Sequence, residues 1–186
     1  MHFETLTKKR ASIKRFSSKK PDIDDIIKII EIGNLSPSPG NLPILRYLII
    51  EDKEKINKIA DACMQEFIKQ ASVLIIVCSE PKDCVIAYEA RGKKYIKQHA
   101  GAAIQNMLLA AVDLGLASCW VGAYSDITIK TLLGISDNAD IEAILPIGYK
   151  LITDRTVQRK KQILEGRIFF EKYKNKYRKP LPRATV

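Results

Sequence analysis

Residues 100–116 most limit how this chain folds. Ala100, Gly101, Ala102, Ala103, Ile104, Met107, Leu108, Leu109, Ala110, Ala111, Val112 and Leu114 leave almost no polar face. A helix that is apolar all round is buried all round. Such a helix belongs at the centre of a small domain or at a subunit interface. The small residues Ala100 to Ala103 let another backbone approach closely, and Gly115 closes the segment.

The flanking segments supply what this helix needs to be buried against. Pro21 followed by Asp22, Asp24 and Asp25 reads as a helix start, with acids toward the positive end of the dipole. Ile23, Ile26, Ile27 and Ile30 then trace a helical face. Residues 46–51 read as a strand, Lys53 to about Lys69 as a helix, and Val73 to Cys78 as a fully buried strand. Residues 80–97 are polar and partly helical. Ser118 to Gly122, with the only tryptophan, Trp120, reads as a third strand. Asp126 to Leu133 reads as a helix ending at Gly134, and Glu142 to Gly148 as a fourth strand. No internal repeat is visible. The sum is one α+β domain with a short mixed sheet and a central apolar helix. At 186 residues the chain fits a single core.

Charge divides the chain into three. Residues 8–20 carry seven Lys or Arg and no acid, and residues 155–186 carry eleven basic residues against Glu165 and Glu171. The stretch between is net acidic. Basic ends suit nucleic acid, a smaller phosphorylated ligand, or plain solubility. No nucleic-acid recognition motif accompanies them, so nucleic acid is not the expected partner. In Arg10-Ala11-Ser12-Ile13-Lys14-Arg15-Phe16, cation, hydroxyl and cation alternate with apolar residues. In an extended segment Arg10, Ser12 and Lys14 share one face, which suits an anion.

The loop Ser36-Pro37-Ser38-Pro39-Gly40-Asn41-Leu42-Pro43 is stiffened by three prolines, and Pro39-Gly40 fits the centre of a type II turn. A rigid loop with glycine at its bend is a platform for close approach to a ligand. Four cysteines without C-x-x-C spacing and two histidines, His2 and His99, argue against a structural zinc site. Neither a membrane span nor a secretory leader is legible, so the expected location is cytoplasmic, without membrane attachment.

Four segments in order carry a resemblance. They are Arg10 to Phe16, Ser36 to Asn41, Ala102 to Ala111 with Leu114-Gly115-Leu116, and Ser118-Cys119-Trp120-Val121-Gly122-Ala123 with Leu145-Pro146-Ile147-Gly148-Tyr149. Together they span about residues 6–150, and on them the chain resembles the nitroreductase family of flavin mononucleotide (FMN) oxidoreductases. The resemblance implies a nitroreductase-like α+β fold, with a central, mostly antiparallel sheet flanked by helices. It also implies a homodimer with two shared flavin sites, in which the basic extension 151–186 is exchanged onto the partner.

The expected cofactor contacts follow from the same resemblance. Arg10, Ala11, Ser12 and Lys14 match the N-terminal contacts: phosphate for Arg10 and Ser12, ribityl and ring edge for Lys14. Pro37, Ser38, Pro39 and Asn41 match the loop reaching the flavin from the other subunit. Gln65 resembles a side chain at the pyrimidine edge, with an ordinary exposed helix glutamine as the competing reading. Val121 and Gly122 match the segment whose amide faces N5. Arg178 and Lys179 resemble a second phosphate clamp. Leu42-Pro43-Ile44-Leu45 departs from the usual Gln-Pro-Trp after the loop asparagine, so the acceptor side differs. His99 stands where related short members carry an aspartate, and reads as a capped histidine opening the long helix.

The activity implied is ping-pong hydride transfer, from NADH or NADPH through flavin N5 to a nitroaromatic, quinone-like or related small acceptor. No nucleophile or general base is needed, and no metal. The chain lacks Gly-x-Gly-x-x-Gly, so the nicotinamide has no dinucleotide fold of its own. The alternative is a flavin-binding carrier or sensor without reductase turnover.

Overall fold

A computed structural model describes residues 2–152 and 166–176. Two compact units divide the chain, Met1–Thr156 and Val157–Val186. The first contains helices α1 (Phe3–Lys9), α2 (Ile23–Asn34), α3 (Lys53–Ala62), α4 (Lys82–Tyr88), α5 (Ala90–Asp113) and α6 (Asp126–Leu133). Its strands are β1 (Leu45–Ile50), β2 (Val73–Ser79), β3 (Ala117–Ser118) and β4 (Asp140–Gly148). Among the described residues of the second unit, 166–176, the Phe169 and Tyr173 rings meet edge-on at 5.1 Å and Phe170 N donates to Asn175 O at 2.8 Å.

The sheet runs β1-β2-β4-β3 with every strand pair antiparallel. Its parallel component is an isolated bridge between Ser12 and Ser118. β2 is buried along its whole length, which is what its β-branched run requires. Alternation sends Val73, Ile75 and Val77 into one core and Leu74, Ile76 and Cys78 into another. The first core lies under α2 and α5; the second lies under α3, α6 and the N-terminal segment around Ile13 and Phe16. The sheet is therefore covered on both faces.

Local chemistry sets the helix boundaries. The Asp22 carboxylate accepts from Asp24 N at 3.1 Å and opens α2; that of Asp52 accepts from Lys55 N at 2.8 Å and opens α3. Gly134, left-handed at φ 66, ends α6. α2 lies close on α5 because Gly33 carries no side chain: a Cβ there would sit 2.6 Å from Met107 Cγ. No residue from His99 to Val112 is exposed, as the apolar run requires. No described helix is long and apolar enough to cross a membrane.

Several boundaries differ from the sequence expectations. α3 stops at Ala62, because Met64 turns left-handed at φ 52. Gln65 and Phe67 therefore belong to a turn and a short 3-10 segment, Glu66–Gln70, and not to a long helix. The polar stretch 80–97 holds α4 and the start of α5, joined at Glu89 with φ 48. The strand expected over 118–122 is a ladder of two residues, after which Val121 alone pairs with Ile144. α1 has no counterpart in the sequence reading.

Candidate functional site

The N-terminal basic segment is held as an extended edge. Ile13 N donates to Ser118 O at 3.0 Å, Ser17 N to Tyr149 O at 2.8 Å and Leu151 N to Arg15 O at 3.0 Å. Ile13 and Phe16 are buried and Ala11 packs half-buried beside them, which leaves Ser12 and Lys14 exposed. Arg10, extended at φ −59 and ψ 122, caps α1 at the head of this edge.

These residues meet the end of β3. Burial pushes the Cys119 thiol up, while Lys14, a hydrogen bond from Ser12 and Arg10 oppose that rise. The Cys119 thiol thus lies within electrostatic reach of all three. The next residues lead away from the sheet: Val121 exchanges two hydrogen bonds with Ile144, at 2.9 and 3.1 Å, and Gly122 is exposed. A Cβ on Gly122 would meet nothing closer than Trp120 Nε1 at 4.0 Å. Nothing in this chain therefore requires glycine there. The buried hydroxyl of Ser118 has no hydrogen-bond partner among the described residues.

The 3-10 segment completes the edge. Lys14 Nζ lies 5.2 Å from the Phe67 ring centroid, a cation–π distance. Gln65 Nε2 donates to Ala123 O at 3.5 Å, and Ser125 N to Ala62 O at 3.0 Å. Arg10, Ser12, Lys14, Gln65, Val121 and Gly122 are thereby linked in one region, with a cationic face and an uncovered backbone stretch.

Pro37, Ser38, Pro39 and Asn41 stand elsewhere. Ser38 O accepts from Asn41 N at 3.4 Å across a turn in which Gly40 has φ 57, the positive value that a type II turn's third residue requires. Asn41 follows at φ 58. Pro37, Ser38 and Pro39 line a hollow of about 340 Å³ with Tyr88, Tyr95, Gln98, His99 and Ala102. Asn41 lines an adjoining one of about 310 Å³, which His99 also borders. None of the N-terminal cations lines either hollow. Arg178 and Lys179 lie outside the described residues.

His99 departs from its expected place. It lies well inside α5, is 6% exposed, and its Nδ1 has no partner among the described residues. It is not a capped helix-start residue. Burial lowers its pKa, favouring neutral imidazole. The sequence reading also passed over Phe67, Tyr88 and Tyr95. Only the true end of α3 would have exposed Phe67 as a neighbour of Lys14.

A four-stranded antiparallel sheet covered by helices on both faces, with a cationic N-terminal edge beside a short β3, defines a nitroreductase-like α+β enzyme fold. The chain belongs to the nitroreductase family, whose family model matches residues 7–149. It is 32% identical over 145 residues to an Archaeoglobus fulgidus protein provisionally named NADH dehydrogenase/NAD(P)H nitroreductase, covering 75% of this chain and 80% of that one. A nitroreductase family protein from Clostridium novyi NT superposes with TM-score 0.76 at 27% identity, over 82% of this chain and 87% of its own. The NADPH:FMN oxidoreductase of Vibrio harveyi, solved with NAD+, superposes with TM-score 0.80 at 20% identity, over 91% of this chain and 77% of its own.

Proposed function

We propose that this chain is an FMN-dependent NAD(P)H oxidoreductase that reduces nitroaromatic, quinone-like or related small acceptors in a ping-pong cycle. The observation that carries the reading is the extended edge pinned at Ser118, which turns Ser12 and Lys14 outward and sets Lys14 against Phe67, with exposed Gly122 following the same strand. The name of the Vibrio harveyi neighbour supports FMN and a nicotinamide as the pair used.

The residues present fit FMN. Arg10 and Ser12 offer a cation and a hydroxyl to its phosphate. Lys14, beside Phe67, brings positive charge to the ring edge, where it favours negative charge gathering on the ring. Gln65 reaches toward the Val121-to-Ala123 stretch and offers an amide to the pyrimidine edge. Val121 and Gly122 present backbone to the ring face. When bound, FMN supplies the hydride-accepting and hydride-donating centre at N5.

Within one chain, Pro37 to Pro39 and Asn41 line hollows that none of the N-terminal cations borders. A site that uses both sets therefore takes them from two copies, and we assign the protein to a homodimer with two shared sites. The basic extension 151–186, including Arg178 and Lys179, is then the segment that closes the phosphate end from the partner. Freshly purified protein should be yellow and should oxidise NADH or NADPH when menadione is supplied. Colourless protein that refuses added FMN contradicts this.

A further inference from the structure

The 3-10 segment Glu66–Gln70 is fixed by its own contacts, independently of the cationic edge beside it. Ile68 is fully buried in the core under α3 and α6. Gln65 N donates to Ala60 O at 3.1 Å, Ile68 N to Gln65 O at 3.1 Å, and Lys53 Nζ to the Lys69 carbonyl. With Ile68 turned in, Phe67 packs half-buried against the same core and offers its ring to Lys14, whose Nζ stands 5.2 Å from the centroid.

The acids around this segment are engaged elsewhere. Lys69 Nζ pairs with Asp61 at 2.7 Å and with Glu66 at 2.9 Å. Among the described residues Lys14 makes no ion pair, and the Phe67 ring is what meets its ammonium. The difference matters chemically. A carboxylate partner would cancel the charge of the ammonium for any anion nearby. An aromatic face attracts the cation through its quadrupole and leaves the full charge in place. An exposed lysine without either partner spreads over many rotamers, which thins its charge at any one position.

We propose that Phe67 is a positioning residue, whose ring holds the Lys14 ammonium un-neutralised on the edge it shares with Gln65. Acting through Lys14, Phe67 makes the site favour reduced, negatively charged FMN over the oxidised form. The second statement rests on the FMN reading; the placement of Lys14 by Phe67 does not.

The test uses the full-length chain, without and with FMN. In FMN-free protein carrying carbon-13 lysine, the ring current of Phe67 should move the Lys14 Hε resonance upfield of the other lysines; Lys14→Arg identifies that resonance. Phe67→Leu should abolish the shift, and Phe67→Tyr should keep it. In FMN-loaded protein, Phe67→Leu should reduce the preference for reduced over oxidised FMN about two- to fivefold, the range of an exposed cation–π contact. That is read as a fall of about 10–20 mV in the two-electron midpoint potential. Phe67→Tyr should retain the wild-type potential, and in a Lys14→Ala background Phe67→Leu should change nothing. The proposal is overturned if the Lys14 resonance lies among those of the other lysines, or if Phe67→Leu leaves the potential unchanged. It is equally overturned if Phe67→Leu shifts the potential as much without Lys14 as with it, since Phe67 then acts by packing alone. Protein with the upfield Lys14 resonance that takes up no FMN supports the placement and refutes the flavin reading, whereas protein that binds FMN with an unshifted Lys14 resonance does the reverse.

Discussion

The amide of Ile13 donates to the carbonyl of Ser118 at 3.0 Å, and this bond sets which way the N-terminal basic segment faces. With Ile13 turned into the core, Ser12 and Lys14 are turned out beside the end of β3.

Replacing Arg10 with alanine should weaken FMN retention by about tenfold or more, the range for a charge-assisted hydrogen bond. The protein should stay folded, because α1 buries no residue. Equilibrium dialysis with FMN, alongside size-exclusion chromatography, checks both parts. Unchanged affinity means the segment is not a flavin contact.

Gly122→Ala separates folding from ligand approach. Its added methyl meets no atom closer than 4.0 Å, so the melting curve of the FMN-free protein should shift by less than about 0.5 kcal/mol equivalent. FMN affinity should nonetheless drop about tenfold, because the methyl stands where the ring would lie. A variant that binds FMN normally contradicts the placement of Val121 and Gly122.

Two glycines of α5 should respond oppositely to alanine. A Cβ on Gly92 would lie 2.6 Å from Cys84 O and 2.9 Å from Val85 Cα, backbone atoms that cannot move aside alone. Gly92→Ala should cost about 2–3 kcal/mol in urea unfolding. Gly101→Ala meets only Trp120 Cη2 at 4.0 Å and should gain about 0.5–1 kcal/mol from helix propensity.

His99 gives stability a pH dependence of known sign. Its folded pKa lies below the ordinary 6.5, so the unfolded chain binds the proton more readily. This residue's share of stability is whole above about pH 6.5 and falls as pH drops toward the folded value. Between about pH 7 and pH 5, wild type should therefore lose more unfolding free energy than His99→Phe. Equal losses would contradict it.

The sequence revealed α5 and β2 because burial on all sides leaves a pattern no other environment tolerates. It revealed α2 because an Asp cap precedes isoleucines at helical spacing. It did not reveal α1, which buries nothing and so has no apolar stripe to read. Nor did it show α3 ending at Ala62: Met64 carries no sign of a left-handed turn, and Phe67 continues the helical spacing by coincidence. That error hid the Lys14–Phe67 contact. The alternation of Arg10, Ser12 and Lys14 was legible, because an extended edge has period two. His99 was misplaced because α5 begins at Ala90, in a polar stretch with Glu89 at φ 48.

The central claim is that this chain holds FMN and passes a nicotinamide's hydride through it. The most direct measurement is an absorption spectrum of freshly purified protein, taken before and after anaerobic addition of NADH and of NADPH. The account predicts a flavin spectrum that bleaches with at least one of them and returns when menadione is added. A flavin spectrum unmoved by both would leave a binding protein without turnover. Absence of flavin, with no uptake of added FMN, would contradict the account altogether.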